Sequence, residues 1–139
     1  MTYLLDSSTV SMLLRADHNP DVVERHAQAG AQGADFVLSP VVAYEVRRGL
    51  HHRGAERQLA DFEAIEDAWT WDDLERGDWL LAAELWAQRR TEGRPISDAY
   101  LLIAAHATRL EAVIVTSNVR HFEGLGVPVE DWKTGAPEE

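Results

Sequence analysis

The sequence contains no cysteine, only one lysine, and no apolar run approaching the ~20 residues that a membrane-spanning helix requires. Without cysteine the chain can form neither a disulfide framework nor a thiolate metal site. An acidic residue at Asp6 also interrupts the N-terminal apolar run too early for a secretory signal. From these absences we expect a soluble, cytoplasmic protein that does not associate with a membrane.

Positive charge is also scarce. Thirteen lysines and arginines stand against 24 acidic residues, which gives a net charge of −11. A protein that binds nucleic acid without regard to sequence normally carries a basic footprint, and this chain as a whole lacks one. Nucleic-acid binding would therefore require a local basic strip, or a metal ion that reverses the sign of the charge at the site.

The overall composition is that of a globular protein. The chain has 139 residues, of which 45% are hydrophobic and 27% are charged, a size and balance typical of one ordinary domain. It contains no internal repeat or low-complexity tract, and none of its loops is long enough to be a domain linker. We expect a single domain over residues 1–133 and a polar C-terminal tail over residues 134–139.

Apolar runs, helical periodicity and capping residues predict five strands and six helices in alternation. The strands are predicted at 2–5, 36–38, 69–71, 112–115 and 127–129, and the helices at 7 or 8 to 15, 21–29, 39–50, 55–68, 72–90 and 98–108. Such alternation is typical of an α/β domain with a parallel sheet and helices on both faces. In these folds the working site lies beyond the carboxyl ends of the strands.

Three acidic residues occupy candidate positions in this arrangement. Asp6 directly follows the first strand and is either the N-cap of the next helix or a site residue, since Ser7 and Ser8 are alternative caps. Glu45 borders the apolar stripe of the third helix, where it either enters the site or pairs with Arg48 in solvent. Asp98 begins the last helix, a position that capping and the helix dipole also favour.

The loop after the fourth strand supplies polar groups of other kinds. Asn118 is either an Asx-turn residue or a site residue. The same loop carries two hydroxyls, a cation and a proton-accepting ring, which are Thr116, Ser117, Arg120 and His121. Carboxylates crowded at one sheet edge repel each other unless a cation neutralises them. Ligand sets of oxygen alone suit Mg²⁺ or Mn²⁺, which activate water and clamp a phosphodiester during hydrolysis.

Four blocks in order and spacing make the chain resemble the PIN-domain ribonucleases, specifically the VapC toxins of type II toxin–antitoxin pairs. They are YLLDSSTV at 3–10, LSPVVAYEVRRGL at 38–50, GRPISDAYLLIAAHA at 93–107 and VTSNVRHFEGLGV at 115–127. The resemblance extends over residues 2–132. It implies a three-layer α/β/α sandwich with a central, mainly parallel sheet, and a Mg²⁺- or Mn²⁺-dependent endoribonuclease. It also implies an RNA substrate, a homodimer and inhibition by a cognate VapB-like antitoxin.

The resemblance assigns roles to individual residues. Asp6 and Glu45 match the first two acids of the family, and Asn118 matches the fourth position. The third acid usually stands three residues before Ile-Ala-Ala, where this chain has Tyr100. We predict that Asp98 replaces it, provided that Asp98 is the helix N-cap or precedes it, because two residues along a regular helix correspond to a turn of about 200°. The competing outcome is a weakened site with two carboxylates.

These assignments define the predicted site and its alternatives. The catalytic set is Asp6, Glu45, Asp98 and Asn118; the metal ligands are Asp6, Glu45 and Asp98; and the substrate contacts are Thr116, Ser117, Arg120 and His121. Further candidates for phosphate contacts are Arg47, Arg48, Arg57, Arg90 and Arg94. One alternative is a degenerate PIN domain that works by binding an antitoxin or another partner. Another is an aspartyl phosphotransferase with Asp6 as the nucleophile, although that chemistry usually requires a second aspartate at position 8, where this chain has Ser8.

Overall fold

A computed structural model describes residues 1–133 of the chain, and its central feature is a five-stranded sheet in which every pairing is parallel. The strands are β1 (Thr2–Leu5), β2 (Asp35–Leu38), β3 (Thr70–Trp71), β4 (Val113–Val115) and β5 (Val129–Glu130). Their order across the sheet is β3-β2-β1-β4-β5. The predicted tail at 134–139 lies outside the described residues.

Six α-helices connect the strands. They are α1 (Ser7–Leu13), α2 (Pro20–Ala31), α3 (Pro40–Arg53), α4 (Glu56–Ala68), α5 (Arg76–Thr91) and α6 (Asp98–Leu110). Two 3₁₀ turns, Ala16–His18 and Val119–Phe122, were not predicted from the sequence. No helix in the described residues has both the length and the apolar character needed to cross a membrane.

The strand order explains how the layers form. The chain moves outward from β1 through β2 to β3, and then returns past β1 to form β4 and β5. Right-handed crossovers in opposite directions place α1–α4 on one face of the sheet and α5 and α6 on the other. The predicted three-layer α/β/α sandwich is therefore confirmed. The direction of the chain reverses between β1 and β4, and polar residues beyond these two strands lie at the topological switch point.

The core follows from the apolar character of the central strands. Leu4 and Leu5 of β1 and Ile114 of β4 are fully buried, as expected for strands covered by helices on both faces. On the return face, Ala104 and Ala105 are also fully buried. The short side chains of this part of α6 allow the helix to lie close to the sheet.

Several element boundaries differ from the sequence prediction by one to four residues, and specific contacts explain two of these differences. Helix α5 begins at Arg76 instead of residue 72, because Glu75 and Asp78 form a reciprocal capping box at its start. Asp72 is instead in a loop, where it accepts hydrogen bonds from His106 (3.0 Å) and Arg109 (2.8 Å). The edge strand β5 lies at 129–130, two residues beyond the predicted start, because Ile114 and Val115 pair with Val129 and Glu130.

Candidate active site

Asp6 lies at the switch point, immediately after β1. Its backbone N–H donates to the carbonyl of Val115 at 3.0 Å, which extends the pairing of β1 with β4. Its Oδ1 accepts from the Thr9 N–H at 3.1 Å and from the Ser8 hydroxyl at 2.6 Å, and its Oδ2 accepts from the Thr116 hydroxyl. Asp6 is therefore the N-cap of α1, so Ser7 and Ser8 do not take that role.

The charge on Asp6 is not balanced by a nearby cation. The residue is only 2% exposed, and no lysine, arginine or histidine among residues 1–133 forms an ion pair with it. Burial raises the pKa of the Asp6 carboxyl, and the hydrogen bonds from Ser8, Thr116 and Thr9 oppose that rise. The site therefore contains a buried carboxylate that is rigidly held and would be stabilised by a bound cation.

Glu45 reaches the same region from α3. This helix begins at Pro40 after the N-cap Ser39, as predicted. Glu45 Oε1 accepts a hydrogen bond from the Ser7 hydroxyl at 3.1 Å, and Ser7 is the residue directly after Asp6. Glu45 Oε2 also lies 3.8 Å from Arg48 Nη2. Glu45 therefore combines the two alternatives: it reaches the region of Asp6, and it also pairs with Arg48.

The loop after β4 completes the surroundings of Asp6. Thr116 is fully buried, and its hydroxyl accepts from the Asn118 N–H at 2.9 Å while it donates to Asp6. The Ser117 N–H donates to the Ser8 hydroxyl at 3.2 Å. Three of the predicted residues, Thr116, Ser117 and Asn118, are therefore brought to the carboxyl ends of β1 and β4 together with Asp6.

Tyr100, on α6, lies near Asp6 and Glu45. Its hydroxyl accepts from Asn118 Nδ2 at 3.3 Å, and its ring lies 4.5 Å from the His121 ring and 5.3 Å from the Phe122 ring. Burial, followed by the negative charges of Asp6 and Glu45, raises the pKa of the Tyr100 phenol. A tyrosine thus occupies the place that the family register gives to the third acid.

Asp98 occupies a different position. Ser97 is the N-cap of α6 and Asp98 is its first helical residue, so the condition under which Asp98 was expected to turn toward the acids is not met. Asp98 is exposed and lines an apolar groove of about 290 Å³ with Trp79 and Trp86. It also shares a larger groove with Glu45. Its role as a third acid stays a prediction, without a described contact to Asp6.

Arg89 positions the predicted substrate-binding turn and was missed in the sequence. It is 3% exposed, and its guanidinium donates to the carbonyls of Glu123 (2.7 Å) and His121 (3.4 Å). Arg120 and His121 are exposed on the 3₁₀ turn that this arginine anchors. No local pattern distinguishes Arg89 from the other arginines of α5, because its partners lie more than 30 residues away in the chain.

Three of the arginines proposed for phosphate contacts are engaged elsewhere. Arg47 forms a two-pronged hydrogen bond with Glu66, at 2.9 and 2.6 Å. Arg90 lies over the Trp86 ring at 4.6 Å, and Arg94 lies 3.9 Å from Glu123. Ion pairs and stacking thus occupy these side chains.

The carboxylates of the site are few for the predicted divalent cation. No group of three or more histidine, aspartate or glutamate residues within residues 1–133 is arranged to hold a metal ion. Mg²⁺ nevertheless commonly binds through one or two carboxylates, with waters and substrate phosphates as its other ligands. Asp6 and Glu45, supported by the Thr116 and Ser7 hydroxyls, fit this simpler requirement.

Comparisons with known proteins agree with the geometry. Ribonuclease VapC19 from Mycobacterium tuberculosis is 32% identical over 90 residues, which are 65% of this chain and 69% of that protein. Ribonuclease VapC1 from Haemophilus influenzae is 27% identical over 141 residues, covering 95% of this chain and 98% of the relative.

Solved structures show the same fold. VapBC-1 from nontypeable Haemophilus influenzae superposes with a TM-score of 0.79 at 25% identity, covering 95% of this chain and 98% of the other. VapBC2 from Rickettsia felis, bound to a promoter DNA fragment, gives 0.84 at 21% identity over 95% and 99% of the two chains. The PIN domain model matches residues 3–126, and the chain therefore belongs to the PIN-domain family.

Proposed function

We propose that this chain is a cytoplasmic, metal-dependent endoribonuclease, the toxin of a type II toxin–antitoxin pair, which hydrolyses RNA phosphodiester bonds and is inhibited by a cognate VapB-like antitoxin. The observation that carries the proposal is the buried Asp6 carboxylate, which lacks a cationic partner in the described residues and lies beside Glu45 at the switch point. Family membership and relatives named VapC ribonucleases support it.

Asp6 and Glu45 are the proposed ligands of Mg²⁺ or Mn²⁺, with Asp98 as the proposed third acid. When bound, such an ion lowers the pKa of a coordinated water and neutralises charge on the phosphate. Thr116, Ser8 and the Thr9 N–H hold the Asp6 carboxylate in one orientation before any ligand arrives. This fixed geometry lowers the cost of assembling the reacting groups.

The remaining predicted residues line the approach to the acids. Asn118, held by Thr116 and close to the Tyr100 hydroxyl, presents an amide that orients a phosphate or ribose oxygen. Arg120 and His121 are exposed at the same edge and are proposed to contact phosphates of the RNA. These side chains position the substrate, while Asp6 and Glu45 supply the negative charge that binds the metal.

A homodimer is part of the proposal. Helix α5 presents three large apolar side chains to solvent, Trp79 (55% exposed), Leu80 (55%) and Trp86 (43%). Exposed apolar groups concentrated on one helix are characteristic of a surface that contacts another protein. A second copy of the chain would bury this surface, and the antitoxin would block the acidic site, for example with a cation that pairs with the carboxylates.

Purified protein and total RNA provide the direct test. We expect cleavage with Mg²⁺ or Mn²⁺, no cleavage in EDTA, and no cleavage by Asp6→Asn, which keeps the fold because it replaces a buried charge with a neutral group of the same shape. Undiminished cleavage in EDTA would refute the metal requirement. Full activity of a folded Asp6→Asn protein would refute the assignment of the site.

A second candidate function rests on Tyr100. A neutral phenol in place of the third acid is a poor ligand for Mg²⁺, which favours a degenerate domain that acts by binding an antitoxin or another partner. In that case the protein would bind its antitoxin but would neither cleave RNA nor arrest growth when overexpressed. Growth arrest that requires Asp6 would exclude this alternative.

A further inference from the structure

A polar groove of about 210 Å³ runs from Glu45 along the boundary between α1 and α3. We call it the α1–α3 groove. Its polar lining residues are Ser7, Ser11, Arg15, Glu45, Arg48, Arg53 and Gln58, and Gly49 also lines it. It differs in character from the apolar groove at Trp79 and Trp86, because hydroxyls, a carboxylate and guanidinium groups form most of its lining.

Along the length of the groove, the type of lining residue changes in the same order on the α1 side and on the α3 side. Residues 7, 11 and 15 on the α1 side and 45, 49 and 53 on α3 are each four apart, and therefore follow one face of their segments. Ser7 is hydrogen-bonded to Glu45 at one end, the small residues Ser11 and Gly49 occupy the middle, and Arg15 and Arg53 occupy the far end. The groove thus leads from the acidic site to a pair of cations.

The side chain of Arg53 reaches from the far end of the groove back to its middle, at Gly49. A Cβ atom at this position would lie 3.4 Å from Nη1 of Arg53, so the Arg53 guanidinium folds back along α3 over Gly49. Arg53 is exposed, and its guanidinium lies along the groove on the side of Glu45.

Three arginines line the α1–α3 groove; Arg48 pairs with Glu45, whereas Arg15 and Arg53 have no carboxylate partner among residues 1–133. Carboxylates lie within 4 Å of the following cations: Arg25, Arg47, Arg48, Arg94, Arg109 and Lys133. Arg57, which also has no carboxylate partner in the described residues, joins Arg15 in an adjacent cavity of about 430 Å³. In a chain with a net charge of −11, unpaired cations grouped beside an acidic site indicate a place for an anion.

We infer that the α1–α3 groove binds the phosphate backbone of the RNA strand on one side of the cleaved bond, an inference that rests on the proposed function. Glu45 and Arg53 are eight residues apart, or ~12 Å along the helix, which is roughly three to four nucleotides of a stacked strand. Arginine recognises phosphate through paired N–H donors without reading the base. A polar groove suits this ligand better than a protein partner, which the apolar surface of α5 fits.

The inference is tested with a fluorescein-labelled 10-nucleotide single-stranded RNA, whose binding is followed by anisotropy in EDTA at several salt concentrations. A denaturing gel confirms that the RNA stays intact. Loss of one phosphate contact lowers the slope of log affinity against log salt by ~0.7 for a single strand. We expect this decrease, and an affinity loss of about fivefold at low salt, for Arg15→Gln and for Arg53→Gln.

Arg76→Gln is the matched control, because Arg76 is exposed at the start of α5 and its loss changes the net charge equally. A further pair of variants probes the middle of the groove. We expect Ser11→Glu, which places a negative charge there, to weaken RNA binding more than tenfold, while Gln28→Glu, which adds the same charge at an exposed position of α2, leaves it unchanged. Thermal unfolding of each variant confirms that the fold is retained.

Several results would overturn the inference. One is an unchanged salt slope for both groove variants, and another is an equal decrease for Arg76→Gln, which would indicate a general effect of charge. Unchanged RNA binding together with weaker antitoxin binding would assign the groove to the protein partner. Cleavage of RNA by the unaltered chain is measured separately. If the unaltered chain cleaves RNA while the groove variants bind RNA normally, only the inference about the groove fails. If the unaltered chain neither binds nor cleaves RNA, the proposed function fails as well.

Discussion

Asp6 accepts hydrogen bonds from a backbone N–H and two hydroxyls, and so it caps α1 and faces the acidic site at the same time. The sequence presented these roles as alternatives, because capping preference alone does not show where the second carboxylate oxygen points. The structure shows that one carboxylate oxygen accepts from the helix N-terminus and the other accepts from Thr116, the residue directly after β4. Asp6 and Tyr100 are the residues on which the chemistry of the site most depends.

Substitution of Tyr100 tests whether the site is weakened. Tyr100→Asp places a carboxylate at a position that the negative charges of Asp6 and Glu45 both affect. We expect this variant to bind Mn²⁺ at least tenfold more tightly, because it adds an oxygen ligand. Isothermal titration with Mn²⁺ measures this change. Asp98→Ala serves as the comparison: unchanged affinity would remove Asp98 from the ligand set, and a loss of affinity equal to that of Asp6→Asn would establish it.

His26 predicts a pH dependence of stability. Its ring lies against Phe36 (4.5 Å) and Trp69 (5.6 Å), and its buried Nε2 has no hydrogen-bond partner among the described residues. Burial lowers the pKa of His26, so below about pH 6.5 the unfolded chain takes up a proton that the folded chain resists. We expect the free energy of unfolding to fall as the pH decreases from about 7.5 to 5.5.

Urea denaturation at several pH values measures this dependence. The phenyl ring of His26→Phe cannot bind a proton. We therefore expect this variant to lose the part of the pH dependence of the free energy of unfolding that His26 causes below pH 6.5. The variant should also be more stable by ~1 kcal/mol, since it removes a buried polar atom without a partner. An identical pH profile in the two proteins would contradict the assignment.

At the scale of elements, contacts between distant segments decide where helices begin and how loops are held. The start of α5 depends on the capping box of Glu75 and Asp78, and Asp78 is itself buried against Arg109 at 3.1 Å. The 3₁₀ turn after β4 depends in turn on Arg89 of α5. The predicted start of α5 was early because the local capping box of Glu75 and Asp78 was not used. The role of Arg89 was missed because periodicity along α5 contains no information about partners in a distant turn.

Arg89→Met tests the anchoring of the turn. We expect it to lower the free energy of unfolding by about 1–3 kcal/mol, because two carbonyls lose a charged donor. The amides at Glu123 and Leu125, which donate within the turn, should exchange hydrogen faster. Arg90→Met is the control, since Arg90 is exposed and stacks on Trp86; equal effects of the two substitutions on exchange at 118–125 would exclude a specific role for Arg89.

At the scale of the whole molecule, polar and apolar surfaces are separated around the acidic site. The α1–α3 groove carries unpaired arginines, whereas α5 exposes Trp79 and Trp86. Both regions border residues near the acids, since Glu45 lines the first and Asp98 lines the apolar groove. This separation would allow the proposed RNA substrate and the proposed protein partners to approach by different surfaces.

The apolar surface of α5 predicts the oligomeric state. We expect the protein to be a dimer at micromolar concentration, and Trp86→Arg to shift it toward monomer by placing a charge in an apolar contact. Sedimentation analysis over a range of concentrations measures this shift. Gln88→Arg adds the same charge at an exposed position of the same helix and should leave the dimer intact; a monomeric unaltered protein would refute the prediction.

The sequence by itself determined the fold class, the order of the elements and the residues that end β1 and β4, because strand and helix periodicity and the four motif blocks are local properties of the chain. Only the tertiary structure decided how Tyr100 and Asp98 of α6 are placed. The helix begins at Asp98 with Ser97 as its cap; this phase brings the Tyr100 hydroxyl to Asn118 and places Asp98 in a groove that it shares with Glu45. Likewise, Arg89 and the α1–α3 groove emerged only from packing, since their parts are far apart in the chain and meet through contacts that no local pattern encodes.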